Sequence, residues 1–497
     1  MMTTQSMIQP IIEQVDGLSA ADFPALIRSA PGAFSQLFAS LASGGATDVD
    51  DSSPDNARWS MLLSSPQAEL RLTSDGTLRS WHTHGSDPLA PATEGDFLSA
   101  FARWVSTVPH AAFSPASELP FVGGWSFYLS YELAGQIESS LALPAFRSSA
   151  ERGFPIAVAQ YHPAALVFDH REARMYLVHD DRSPACVAAM RTALADSMAS
   201  PPPVDADAAG HTSDEDALAV SALTADDPAT YERGVARILD YLRAGDVFQA
   251  NLSRAWRFNT TQADAGWRIF QRLGRHNPAP FAAWYRLDEG QIISSSPERL
   301  VDHVQGRVST RPIAGTRRRD ADPERDRALM AELRAHPKER AEHVMLIDLE
   351  RNDLGRVCQP GSVRVDELMT IESFAHVHHL VSNVCGQLRP DQTVFDLLAA
   401  VFPGGTITGC PKVRCMEILA ELEATGRGPY TGSVGYLSLH GQMDSNILIR
   451  TVFLGADGVG EFRAGAGIVA DSLPERERIE TEEKARGLLL ALGARPT

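Results

Sequence analysis

Two periods of apolar spacing divide the chain. Between residues 59 and 179, short runs alternate apolar and polar side chains with a period of two, which predicts strands within 59–63, 68–72, 120–133 and 154–179. Ser74-Asp75-Gly76 and Asp169-His170-Arg171-Glu172 provide turns between them. Residues 1–42 carry helical spacing instead, and the Gly-, Ser- and Asp-rich stretch 44–56 reads as a surface loop. Beyond residue 230 the two periods mix. Helices are predicted over 231–244, 323–335, 337–355 and 412–424, and strands over 246–256 and 291–313. A three-strand meander is expected over 432–463, turning at His440-Gly441 and Asp457-Gly458. Strands and helices do not alternate strictly, so the expected class is α+β with large antiparallel sheets. Residues 199–229, opening with Pro201-Pro202-Pro203, have little apolar patterning and read as a linker between a strand-rich part (1–198) and a second part (230–497).

Two of the helical stretches repeat one device. After Pro337, Glu339 and Glu342 stand three residues apart, on one helical face, and Gly355 is a plausible stop. Near the C-terminus, Ser472-Leu473-Pro474-Glu475 has the form of a capping box, Gly493 marks an end, and Glu477 and Glu480 again lie three apart. Two helices facing one another would bring up to four carboxylates together, and their repulsion would call for a cation. Mg²⁺, which takes hard oxygen ligands and keeps positions open for water or substrate, suits such a site. On spacing alone, solvated helix glutamates are the plainer reading.

Composition narrows the partners. The chain has 497 residues, with 45 Lys and Arg against 63 Asp and Glu, a net charge of −18. This balance argues against bulk binding of nucleic acid or an anionic membrane, while leaving room for a local basic site. Five scattered cysteines, with no Cys-x-x-Cys pair, fit a reducing compartment with neither a disulfide framework nor a zinc site. The N-terminus has no basic region followed by an apolar core, and no apolar run approaches ~18 residues, so a cytoplasmic protein with no membrane partner is expected.

Several stretches could do chemistry. The glycine-rich run from Phe402 to Lys412 leads into a helix; its amides, Thr408 and Lys412 suit an anion, although the Gly-Lys-Ser/Thr ending of a P-loop is missing and a plain helix-entry turn is equally natural. Two further glycine loops, 311–316 and 464–469, could let backbone approach a ligand or could be tight turns. Arg450 stands in the apolar strand 447–453, as an edge residue or as a bidentate partner for a carboxylate. Glu298 follows Ser296-Pro297 at a turn, where a partly buried carboxyl could hold its proton for acid catalysis; a solvated glutamate is the simpler alternative. In 375–379, a strand would place His376 and His378 on one face and His379 on the other.

Taken in order, Asp246-Val247-Phe248-Gln249-Ala250-Asn251-Leu252-Ser253, Ser296-Pro297-Glu298, Pro312-Ile313-Ala314-Gly315-Thr316, Ala341-Glu342-His343, Arg351-Asn352-Asp353, the Gly404–Lys412 run, Arg450-Thr451, Gly465-Ala466-Gly467 and Glu480-Thr481 with Lys484 resemble a known family. It comprises the chorismate-utilising enzymes typified by anthranilate synthase component I and aminodeoxychorismate synthase component I. The resemblance spans about 230–490 strongly and the first 200 residues loosely. It implies a two-layer sandwich of large antiparallel sheets with helices outside, an N-terminal subdomain over 1–198 and a chorismate-binding catalytic region over 230–497. It also implies Mg²⁺ held by Glu339, Glu342, Glu477 and Glu480 against the ring carboxylate of chorismate. Arg450, Lys484, Tyr436, Thr408, Thr316, Lys412 and the Gly465-Ala466-Gly467 backbone are then expected around the substrate, Glu298 as the acid for the leaving hydroxyl, and His379 beside it. Relatives that add water carry a lysine where this chain has Gln249. An amide is no base at neutral pH, and ammonia needs none, so amination is expected. The chain carries no amidotransferase nucleophile motif of its own, so a glutamine amidotransferase partner is implied as the ammonia source.

Among aminating members, anthranilate synthases carry Leu-Leu-Glu-Ser and Asn-Pro-Ser-Pro-Tyr-Met for tryptophan feedback. The matching places here are taken as Leu26-Ile27-Arg28-Ser29 and Asn277-Pro278-Ala279-Pro280-Phe281. With Met443-Asp444-Ser445-Asn446-Ile447-Leu448, they resemble the aminodeoxychorismate type. Ala314 departs from the lysine that some of that type use for covalent attack, which leaves direct attack by ammonia.

Overall fold

The computed structural model describes residues 8–41, 57–83, 91, 93–111, 118–146, 153–180, 182–199, 218–374 and 377–494. Among these residues two antiparallel sheets, of 12 and 11 strands, lie face to face with the helices outside, which is the expected α+β sandwich. Strands from both sides of 199–229 join the same sheets. In the larger sheet Phe34–Ala39 pairs with Phe281–Leu287, and in the smaller one Gly124–Leu129 pairs with Ser433–Ser438. Of the expected linker, 200–217 lie outside the described residues; the remainder forms a strand, Ser221–Ala225, and enters a helix, Pro228–Ala244, capped by Asp227. The predicted loop 44–56 also lies outside the described residues.

The N-terminal stretch departs from its predicted helical character. Among its described residues only Phe23–Ser29 is α-helical; Ile11–Val15 and Phe34–Ala39 are strands, because pairing to neighbouring sheet edges outweighs local spacing.

Three of the switches between the sheets shape the interior. Pro163 alone separates Ala157–His162 in the smaller sheet from Ala164–Asp169 in the larger. Pro297 and Glu298 carry the chain from Gly290–Ser296 in the larger sheet to Arg299–Val304 in the smaller. The third corrects the expected meander. Ser433–Ser438 and Met443–Asn446 belong to the smaller sheet, Thr451–Gly455 and Val459–Ile468 to the larger, and residues 447–450 cross between them. Arg450 therefore stands not inside a strand but at this bend, with φ +52°.

Between the sheets lie Tyr128, Val158, Tyr285, Ile292, Val434 and Phe453. Outside the larger sheet, Phe23–Ser29, Pro184–Ala199, Ala265–His276 and Pro474–Ala491 cover a second core that includes the stacked cross-strand pair Trp256 and Phe462, 5.2 Å apart. Each large side chain buried in this way contributes ~1.5–3 kcal/mol.

Candidate active site

A cavity of about 1510 Å³ opens beside the two neighbouring switches, Pro297-Glu298 and 447–450. Their backbones are tied together: the Ile447 N–H donates to Glu298 O (3.0 Å), the Ser295 N–H to Arg450 O (3.1 Å), and the Ser296 hydroxyl to Ile447 O (2.6 Å). A carboxyl and a guanidinium from positions 152 residues apart thus reach one space from adjoining bends.

Two helices form the acidic wall. Pro337–Gly355 starts with its proline at the first turn, and the His336 ring accepts from the Glu339 N–H at 3.4 Å. Pro474–Ala491 also starts with proline, but its cap is Leu473. Ser472, expected to close a capping box, accepts instead from the Val469 N–H at 3.1 Å. Glu339, Glu342, Glu477 and Glu480 all line the cavity. Burial, together with Glu339, Glu480 and Glu477, pushes the Glu342 carboxyl up, against the pull of Lys338. Glu477 is likewise raised by burial and by Glu480. Excess negative charge on hard oxygen ligands fits a divalent cation by chemistry. As the side chains stand, however, each of three carboxylates has a cation: Arg317 with Glu339 (3.3 Å), Lys338 with Glu342 (3.7 Å) and Lys484 with Glu480 (2.8 Å). Among the described residues, no group of three acidic, His or Cys side chains is arranged to hold a metal ion.

A second wall, packed against the helix Pro474–Ala491, is the antiparallel pair Gln249–Asn259 and Val459–Ile468. Gln249 and Asn251 share a face by the period of two, and Asn251 stands opposite Gly467 and Ser253 opposite Gly465. A Cβ on Gly467 would lie 2.2 Å from Gln249 Nε2; one on Gly465 would meet Asn251 Oδ1 (2.6 Å) and the Tyr430 hydroxyl (2.8 Å). The expected loop at 464–469 is mostly this strand, and its glycines make room for neighbouring side chains. The other expected glycine loop also contains a strand, Ile313–Arg318, where Gly315 (φ +64°) lets Glu339 approach; a Cβ there would sit 2.8 Å from its Oε2.

Glu298 is not a solvated turn residue. It is 5% exposed, and its Oε1 and the neighbouring Thr406 hydroxyl are buried with no hydrogen-bond partner among the described residues. Burial pushes the carboxyl up to about 7, against the lowering influence of Thr406, the Ile313 backbone and Lys484. Also lining the cavity, Thr316 Oγ1 and His379 Nδ1 share a hydrogen bond of 2.9 Å. Burial and the nearby Arg450 hold that imidazole down to about 4, so it is neutral at neutral pH. His376 lies outside the described residues; His378 is buried against Asp326 (2.8 Å) and Ser373 (2.7 Å), a structural contact. Lys484 Nζ donates to Gly465 O at 3.0 Å, and the Arg450 guanidinium donates to Lys484 O.

Four expected residues fall elsewhere. Thr408 is fully buried and its hydroxyl donates to Gly404 O at 3.0 Å; Thr406 and Ile407 of the same loop reach the cavity. Lys412 turns away to Asp353 (2.6 Å) and Val401 O (3.0 Å), so it anchors the loop from behind. Of the expected backbone stretch 465–467, Gly465 and Gly467 line the cavity while Ala466 does not, and its side chain faces the core formed with Val235, Leu252 and Ile418. Tyr436 packs edge-on against Phe38 and Phe121 and lines a second, smaller cavity between the sheets; the tyrosine on the main cavity is Tyr430. Asn251, Thr406, Tyr430 and Arg463 were not expected. Asn251 was within reach, being two residues along the strand from Gln249.

The two segments matched above to the feedback motifs lie in different surroundings. Leu26, Ile27 and Ser29 lie in a helix whose apolar residues are buried in the core. The segment beside Asn277–Phe281 is Leu37-Phe38-Ala39-Ser40: Ala39 pairs with Ala282, and the Leu41 N–H donates to Ala279 O at 3.0 Å.

Residues 52–490 match the family described as chorismate binding enzyme. The chain is 45% identical to an anthranilate synthase component I-like protein of Synechocystis sp., over 75% of this chain and 73% of that one. It is 39% identical to aminodeoxychorismate synthase component 1 of Klebsiella aerogenes, over 87% and 90%. The crystal structure of anthranilate synthase component I from Streptococcus pneumoniae superposes with a TM-score of 0.72 at 32% identity, covering 89% of this chain and 94% of that one.

Proposed function

The chain belongs to the chorismate-binding enzyme family, and on that premise we propose that it aminates chorismate with ammonia to 4-amino-4-deoxychorismate, as the first component of an aminodeoxychorismate synthase. The observation that carries the reading is the buried Glu298. It is a carboxyl raised to about 7 and facing a cavity with cations at Arg450 and Lys484 and an amide, not a base, at Gln249. Arg450 and Lys484 bind the substrate carboxylates. Glu298 gives its proton to the ring hydroxyl as the C–O bond breaks, releasing water, while nitrogen forms the new C–N bond and sheds a proton to solvent. Neutral His379, fixed by Thr316, orients the departing oxygen. Glu339, Glu342, Glu477 and Glu480 would hold Mg²⁺, which when bound supplies positive charge for a substrate carboxylate. Ammonia comes from a glutamine amidotransferase partner. Among the described residues no helix is long and apolar enough to cross a membrane.

Ala314, which lines the cavity where some aminodeoxychorismate synthases have lysine, favours a second reading, anthranilate synthase component I. Product analysis decides. Purified protein with chorismate, Mg²⁺ and an ammonium salt is expected to give 4-amino-4-deoxychorismate with its enolpyruvyl group retained. Fluorescent anthranilate and free pyruvate, formed without an added lyase, would reject the assignment; unconsumed chorismate would point to a silent, partner-binding chain.

A further inference from the structure

We propose that Arg317 and Lys338 are positioning residues that stand in for the divalent cation, neutralising Glu339 and Glu342 until metal and substrate arrive and having to leave before the metal can bind. The inference rests on the reading that these carboxylates take such a cation. Arg317 NH1 lies 3.3 Å from Glu339 Oε1, and Lys338 Nζ 3.7 Å from Glu342 Oε1. Both contacts occupy oxygens that a hexacoordinate ion would need at ~2.0–2.1 Å, and a monovalent and a divalent cation on one carboxylate repel each other.

The surroundings give each displaced cation somewhere to go. Arg317 already shares itself with Glu332 (3.1 Å), which is 57% exposed on the helix Pro323–Ala335, so it can swing outward without losing every carboxylate. The Lys338 side chain is 52% exposed and can turn to water. Lys484 differs: it is held to Gly465 O as well as to Glu480, and so stays on the cavity wall for a substrate anion. Gly315 leaves room for the Glu339 carboxylate, because a Cβ there would lie 2.8 Å from its Oε2.

Mn²⁺ serves as the probe, with its free concentration read by electron paramagnetic resonance, which reports binding independently of turnover. Wild-type protein is expected to bind Mn²⁺ weakly alone and more tightly with chorismate. Arg317→Gln/Lys338→Gln is expected to bind Mn²⁺ ~3–30-fold more tightly without chorismate, with a smaller further gain when chorismate is added. Lys338→Gln alone, at a half-exposed position that threatens no fold, should show a smaller tightening in the same direction. Unchanged or weaker Mn²⁺ binding in both variants, while wild type binds with chorismate, would overturn the inference and leave the proposed function standing. No Mn²⁺ uptake by wild type even with chorismate would overturn both.

Discussion

Two buried glutamates close to the same cavity have opposite fates. Glu423, whose side chain is 3% exposed, accepts from Arg427 through both oxygens (2.8 and 2.8 Å), from the Ser253 N–H (2.9 Å) and from the Ser253 hydroxyl (2.8 Å), with Arg463 at 3.6 Å. Burial would raise it, yet Arg427 and Arg463 bring it below the usual carboxylate range. Glu298, equally removed from water, has no guanidinium against it and one oxygen without a partner among the described residues. Its proton stays to about pH 7. Glu423 is a fixed anion: through Arg427, which also donates to Asn251 O (2.7 Å) and Ile407 O (3.1 Å), it binds strand to loop behind the cavity. The same side chain is a strut where cations meet it and an acid where only burial does.

Breaking the acid should have the largest effect. Glu298→Gln is expected to lower kcat by ~10²–10⁴-fold with chorismate binding nearly intact, measured by single-turnover kinetics and equilibrium binding; turnover like wild type would remove Glu298 from the chemistry. Breaking the strut should act on stability instead. Arg427→Met leaves Glu423 buried and half-paired, and denaturant unfolding should show a loss of about 3–5 kcal/mol.

The same contrast has a pH signature. Because Glu298 holds its proton more tightly folded than unfolded, its contribution to stability is full below the ordinary value of 4.5 and declines as pH rises to about 7. Above that, the buried charge costs about 3 kcal/mol. Glu298→Gln should therefore unfold at a higher denaturant concentration than wild type at pH 8 and at nearly the same one at pH 4.5. The alkaline limb of kcat/KM in wild type should fall through about pH 7. The smallest effect concerns the wall between the two acids: Gly465→Ala should cost about 1–3 kcal/mol by overpacking, since its Cβ would meet Leu252 O at 2.7 Å as well as Asn251 and Tyr430. Melting curves and KM for chorismate would report it together.

How far the sequence could be read depends on the range of the interactions. The glutamate pairs were legible because a proline start and three-residue spacing fix a helical face, whatever lies opposite. Glu298, Arg450 and Lys484 were found through ordered motifs, but Arg450 was misplaced in a strand. An apolar run such as 447–453 carries no sign that the chain changes sheets in its midst. Thr408 and Lys412 failed for a related reason: a glycine-rich loop shows that backbone is close to something, not which hydroxyl turns inward, and Asp353 claims the lysine from a helix 59 residues earlier. Tyr436 and Tyr430 lie six residues apart in one segment, and only the strand register, with Tyr436 opposite Ser126 in the smaller sheet, sends Tyr436 to the other cavity.

The most direct test of the contrast is an isotope-edited infrared titration of the carboxyl groups, assigned by Glu298→Gln and Glu423→Gln. One band lost in Glu298→Gln should titrate near pH 7, and one lost in Glu423→Gln should stay ionised to below 4.5. If the Glu298 band titrates near 4.5 with the solvated glutamates, the cavity does not hold a protonated acid at neutral pH, and the account of its chemistry is wrong.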